Sequence, residues 1–233
     1  MLLGSYQLLW TDPASFFRLS VLVFFSLLLA VTVHEFSHTL VANGLGDSTA
    51  RRLGRLTLNP IRHLDPSGSI MLLVAGYGWG KPVPVNQEQL SQGRLGIAMV
   101  AVAGPLSNLA VAFLLAVPIK AGLLGWSSPS LSRATYVMSG GLREGISDIL
   151  GIVVFMNILL AVFNLIPLAP LDGSKLVRGL LPGHLASGYA RWERYGPLLL
   201  VGLVMSDYFF DTGILWNVLG PLVTGLTAAA TGF

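Results

Sequence analysis

The sequence predicts an all-α polytopic membrane protein with about five transmembrane helices and a re-entrant loop or β-hairpin after the first. Three observations carry that prediction. Of the 233 residues, 53% are hydrophobic and only 11% charged, where a soluble domain carries about 25% charged residues. Mean hydropathy is +0.71. The apolar residues also fall into runs of spanning length, about 20 residues each. No polar stretch is long enough to bury a core of its own. The chain therefore reads as one membrane-embedded domain, residues 1–233, with a core over about 17–175 and C-terminal helices over about 195–230. Cysteine is absent, which excludes disulfides and thiolate metal sites. The pI near 9.4 belongs with membrane orientation rather than nucleic-acid binding.

The elements follow in order. The opening MLLGSYQLLWTDPASFF lacks a basic n-region, and the apolar run after it is too long for a signal peptide and has no small-residue cleavage site. That run is the first predicted helix, about 17–43. The next are 95–119, 147–166, 195–210 and 214–230, the fourth being the shortest. Between the first two lies SGSIMLLVAGYGWGKPVPV, apolar at 70–75 but broken by Gly76, Gly78, Gly80, Pro82 and Pro84. Too short to span as a helix, it reads as the re-entrant loop or hairpin. Irregular backbone at membrane depth is tolerated only where protein or water covers it, which implies an internal aqueous cavity. Ten of the fourteen Lys and Arg fall in loops 44–94 and 167–194. By the positive-inside rule those loops are cytoplasmic and the N-terminus lies outside, in a multi-pass cell-membrane protein.

Within the first run stands VTVHEFSHTL, residues 31–40. Each ionisable side chain there costs about 2.5–3.5 kcal/mol at mid-bilayer, so its presence points to function. His34 and His38 are four apart and share a helix face, a spacing that lets two imidazoles bind one zinc ion. Glu35 then lies beside the metal, able to take a proton from water. Zinc in a catalytic site takes three protein ligands and keeps one open place. Asp148 is a candidate on the wrong side of the membrane, and His63 lies in the cytoplasmic TLNPIRHLDPSG. Asp172, in NLIPLAPLDG, is favoured: Pro167 and Pro170 end the third helix, Gly173 lets the backbone turn, and extended chain can point the carboxylate into a cavity. In AVAGPLSNLA, residues 101–110, Ala103/Ser107 and Gly104/Asn108 are small-xxx-small pairs that make a packing seam. Asn108 needs a partner there, either the histidine helix or substrate.

Taken together, HEFSH, AGPLSN and NLIPLAPLDG resemble, in order and spacing, the three core motifs of the site-2 protease family of intramembrane zinc metalloproteases. The likeness covers about residues 20–175, and NPIRHLDPSG and GWGKPVPVN resemble a small bacterial branch without PDZ or CBS domains. Ala169 departs from the family's NxxPxPxLDG pattern, which has proline there. The resemblance implies one zinc held by His34, His38 and Asp172, with Glu35 as general base. It also implies a peptide or protein substrate that spans the membrane.

An endopeptidase must also stabilise an oxyanion and unwind a helical substrate. Asn108 and Asn164 are the oxyanion or substrate-binding candidates, and His63 is a third or else steadies its loop. The apolar segment 69–85 is a candidate strand edge for pairing with extended substrate. Two rivals are a zinc or proton transporter and an inactive membrane scaffold. A transporter would favour inverted repeats, which the sequence lacks, and a scaffold has no use for Glu35. Glu88, Glu144 and Glu193, the glutamates that another HExxH arrangement would recruit as third ligand, fall in loops or at helix ends.

Overall fold

The computed structural model describes residues 6–65, 68, 80–126, 141–210 and 212–233. Among them every regular element is helical. A short helix α1, Tyr6–Thr11, leads into α2, Pro13–Gly44. Asp12 starts α2 by accepting a hydrogen bond from the Ser15 amide, and Pro13 fits the first turn because it lacks a hydrogen to leave unpaired. At 32 residues α2 is about 48 Å long by its 1.5 Å rise, more than the ~30 Å hydrocarbon core. After α3, Thr49–Arg52, and a loop region come α4, Gly93–Lys120, and α5, Leu142–Asn164. Two polar-faced helices follow, α6, Asp172–Leu180, and α7, Gly183–Glu193, then α8, Gly196–Phe210, and α9, Ile214–Thr231.

Four helices, α2, α4, α5 and α9, are long and apolar enough to cross a membrane. The fifth expected span, α8, has 15 residues. At about 22 Å it falls short of the hydrocarbon thickness. Its last turn carries Asp207, which accepts hydrogen bonds from the Ile214 and Leu215 amides and so caps α9. Loop 167–194, read from sequence as irregular, contains α6 and α7, separated by Pro182. Phe17, Val21, Phe25 and Leu29 recur every four residues on α2, and each is over 40% exposed. Such a stripe suits lipid, not water. The chain is a multi-pass membrane protein.

Two apolar cores hold the bundle. The larger, around Val23, Ala112, Ile152, Ile158 and Val223, joins α2, α4, α5 and α9. The smaller, Ala42, Leu90, Ile97 and Val100, lies where the C-terminal part of α2 meets the start of α4. The histidines of α2 fall between the residues it contributes to the two cores. The expected re-entrant segment falls mostly on residues 69–79, outside the described set. Its flanks are pinned together: Leu64 and Gly80 form an isolated antiparallel bridge, and the Lys81 amide donates to the His63 carbonyl at 2.8 Å.

Candidate metal centre

Helix α2 presents His34 and His38 one turn apart, both buried, with ring centroids 4.5 Å apart. Asp172 comes to them from α6. Its Oδ2 lies 2.9 Å from Nε2 of each histidine. These three residues form the metal-competent cluster found among the described residues. Asp172 reaches the histidines from the first turn of a helix rather than from extended chain, its N-cap Leu171 being the extended residue. Gly173 is needed there for close approach. A Cβ at that position would sit 2.3 Å from the Ile166 carbonyl and 2.4 Å from that of Leu165. Gly179 lets the same helix cross α4, where a Cβ would stand 2.7 Å from the Arg94 carbonyl.

A chain of amides decides which ring nitrogens carry protons. The Val153 carbonyl can only accept, so the nitrogen 2.8 Å from it is the Asn157 amide donor. That turns Asn157 Oδ1 toward Asn108 Nδ2, at 2.9 Å, whose other hydrogen goes to the Ala30 carbonyl, also at 2.9 Å. Asn108 Oδ1 is thereby left to accept from His34 Nδ1–H at 2.7 Å. His38 Nδ1–H donates to the Val100 carbonyl, again at 2.7 Å. In the neutral Nδ1–H form both rings turn an unprotonated Nε2 toward a carboxylate oxygen. Three lone pairs converging in a buried site repel one another unless a cation or proton lies among them. Two imidazoles and a carboxylate are the donor set that suits zinc. Gly104 on α4 leaves the room, since a Cβ there would lie 2.6 Å from Nε2 of both histidines. The small-residue seam thus has a second use.

The cluster opens into a cavity of about 540 Å³, walled by Val31, Ile97, Val100, Leu160, Phe163 and Leu171, with Glu35 and Asn164 also lining it. Gly80, Pro82, Val83 and Val85 close one side, and a Cβ on Gly80 would lie 3.8 Å from Glu35 Oε1. Lys175 and Arg178 line it as well; the Lys175 side chain is 46% exposed. Asn164 donates to the Leu160 carbonyl, whereas Asn108 has spent both amide hydrogens on Ala30 and Asn157. His63 is fully buried in its loop, where Nε2–H donates to the Thr57 carbonyl at 2.7 Å. Glu88 and Glu144 are exposed, and Glu193 pairs with Arg178 at 3.0 Å. Asn157 is the member of the network that the sequence reading passed over. An amide in the middle of an apolar helix was its signal.

A family model described as "Peptidase family M50" matches residues 22–191. The chain belongs to peptidase family M50. It is a zinc metalloprotease of the site-2 protease type. YwhC of Bacillus subtilis (strain 168), named as a zinc metalloprotease, is 38% identical over 195 residues, covering 83% of this chain and 84% of that protein. Rip2 of Mycolicibacterium smegmatis, named likewise, is 28% identical over 209 residues, 85% of this chain and 74% of its own length. Rip2 of Mycobacterium tuberculosis (strain H37Rv) is 29% identical over 215 residues, with 88% and 76% covered. No solved structure matches the chain.

Proposed function

We propose that this protein is an intramembrane endopeptidase that cuts membrane-spanning protein or peptide substrates, with zinc held by His34, His38 and Asp172. One observation carries the reading. A buried three-residue metal cluster and a glutamate share one cavity among helices long and apolar enough to span a bilayer. When bound, zinc supplies Lewis acidity to the scissile carbonyl and makes water nucleophilic near neutral pH. Glu35 takes a proton at its carboxylate and returns it to the leaving amine. Asn108 fixes the His34 ring, and Asn164 is the amide available to substrate or to the developing oxyanion. Val83 and Val85 border the cavity, and no main-chain hydrogen bond ties either to another described residue, which suits pairing with an unwound substrate. With the two cation-rich loops cytoplasmic, the site lies toward the cytoplasmic face of the cell membrane and the N-terminus outside.

Glu35→Gln tests the reading. It keeps the shape of the side chain and removes the proton acceptor. The variant is expected to fold, to retain near-stoichiometric zinc by elemental analysis, and to lose at least about 10²-fold in cleavage of single-span peptides in detergent. Near wild-type cleavage with zinc in place would sink the mechanism. Zinc transport by a wild type with no proteolysis would favour the transporter instead.

A further inference from the structure

The two oxygens of the Asp172 carboxylate have different partners. Oδ2 faces Nε2 of both histidines at 2.9 Å, whereas Oδ1 accepts a hydrogen bond from Lys175 Nζ at 3.0 Å. Lys175 stands three residues further along α6, so its ammonium reaches back over the first helical turn. The Asp172 side chain is only 7% exposed against 46% for Lys175. The lysine thus carries a charge inward from partly exposed surface to an oxygen that is otherwise buried. Among the described residues no other donor reaches Oδ1.

A carboxylate has about four lone-pair sites and can hold a cation through one oxygen or both. The choice matters in a hydrolytic centre. Two histidines and one carboxylate oxygen leave a place open in a four-coordinate site, and a second carboxylate oxygen competes for that place. An outer partner on a ligand sets how the ligand presents itself.

We propose that Lys175 is a positioning residue that holds Oδ1 away from the centre, keeps Asp172 a one-oxygen ligand, and so preserves the open place that hydrolysis needs. The proposal rests on Asp172 being the third ligand, as assigned above. Its rival is an ordinary ion pair at the edge of the site, without effect on the metal.

Cobalt(II) is the probe, loaded into the purified full-length chain in detergent. Its visible absorption bands are intense in four-coordinate sites and weaken in five-coordinate ones. The wild type should take up one cobalt with intense bands. In Lys175→Met the bands should weaken, and kcat of the zinc-loaded enzyme should fall about 10–100-fold with KM little changed. Lys175→Arg, which restores a charged donor, should recover both the spectrum and kcat. Wild-type bands and kcat in Lys175→Met would overturn the proposal, as would an arginine variant no better than methionine. Cobalt uptake and spectrum unchanged in Asp172→Ala would bring down the ligand assignment itself, which separates the two failures.

Discussion

Gly104→Ala adds one methyl group at the most crowded point of the centre. The new Cβ would lie 2.6 Å from His34 Nε2, His34 Cε1 and His38 Nε2, about 0.8 Å inside the 3.4 Å at which ordinary contact begins. Neither ring yields easily, because each is tied through Nδ1, to Asn108 and to the Val100 carbonyl. Metal–ligand distances tolerate about 0.2 Å, a quarter of the displacement needed. The helix itself gains, since alanine exceeds glycine by about 1 kcal/mol in a helix interior. Overpacking costs about 1–3 kcal/mol, so the net loss of global stability should be no more than about 2 kcal/mol. The expected phenotype is therefore a folded protein with a damaged centre. Zinc content after dialysis against a weak chelator should drop well below one per chain. Peptide cleavage should fall by about 10²-fold, the usual cost of an ångström-scale misplacement. Elemental analysis and a fluorogenic single-span peptide read the two effects, and circular dichroism controls for folding. Full zinc occupancy with wild-type cleavage would refute the derived packing of α4 against the histidine face.

Other outcomes follow from other elements. Asn157→Ala leaves a buried Asn108 hydrogen without its acceptor, so zinc affinity should fall about 10–100-fold in a chelator competition; unchanged affinity would remove Asn157 from the centre's support. Asp47 lies outside the spanning segments and ties two loops by accepting from the Thr49 amide at 2.9 Å and the Asn86 amide at 2.6 Å. Burial opposes its charge, but these hydrogen bonds prevail and hold the carboxyl below its ordinary range. Its folded pKa being the lower one, its stabilisation is complete above the unfolded value near ~4 and is lost as pH falls through the folded value. Asp47→Ala should then cost about 1.5–3 kcal/mol in detergent melts at pH 7, a gap that closes in acid; a gap constant with pH would contradict the sign. Because the chain has no cysteine, single cysteines report its sidedness. Those at Ser48 and Ser187 should be shielded from an impermeant thiol reagent in intact cells and one at Gly125 labelled, and the opposite pattern would invert the orientation.

Much of this architecture was legible in the residues, for identifiable reasons. Spanning helices announce themselves because every backbone group must be satisfied inside lipid, which forces long apolar runs. The HEFSH spacing is equally plain, since one helical turn sets it. Legibility failed where packing rather than pattern decides. Gly173 looked like a turn residue, yet what it provides is contact with the carbonyls of Leu165 and Ile166. Asp172 looked like a loop carboxylate and is a helix start, because α6 and α7 are too short and polar to stand out from a connecting segment. Asn157 escaped because nothing local distinguishes a buried amide with a partner from one facing a neighbour's backbone. Its meaning lies in Asn108, on a different helix.

The carboxylate that completes the centre comes from α6, long after the two histidines in the chain. On the ligand assignment proposed here, a growing chain that has inserted only its first long helix carries two ligands, the glutamate and no complete centre. The third arrives only when α5 has crossed back and α6 has seated against α4 through Gly179. Hydrolytic competence is thus deferred until tertiary assembly is nearly done. A partly inserted copy is then inert toward its neighbours during biogenesis.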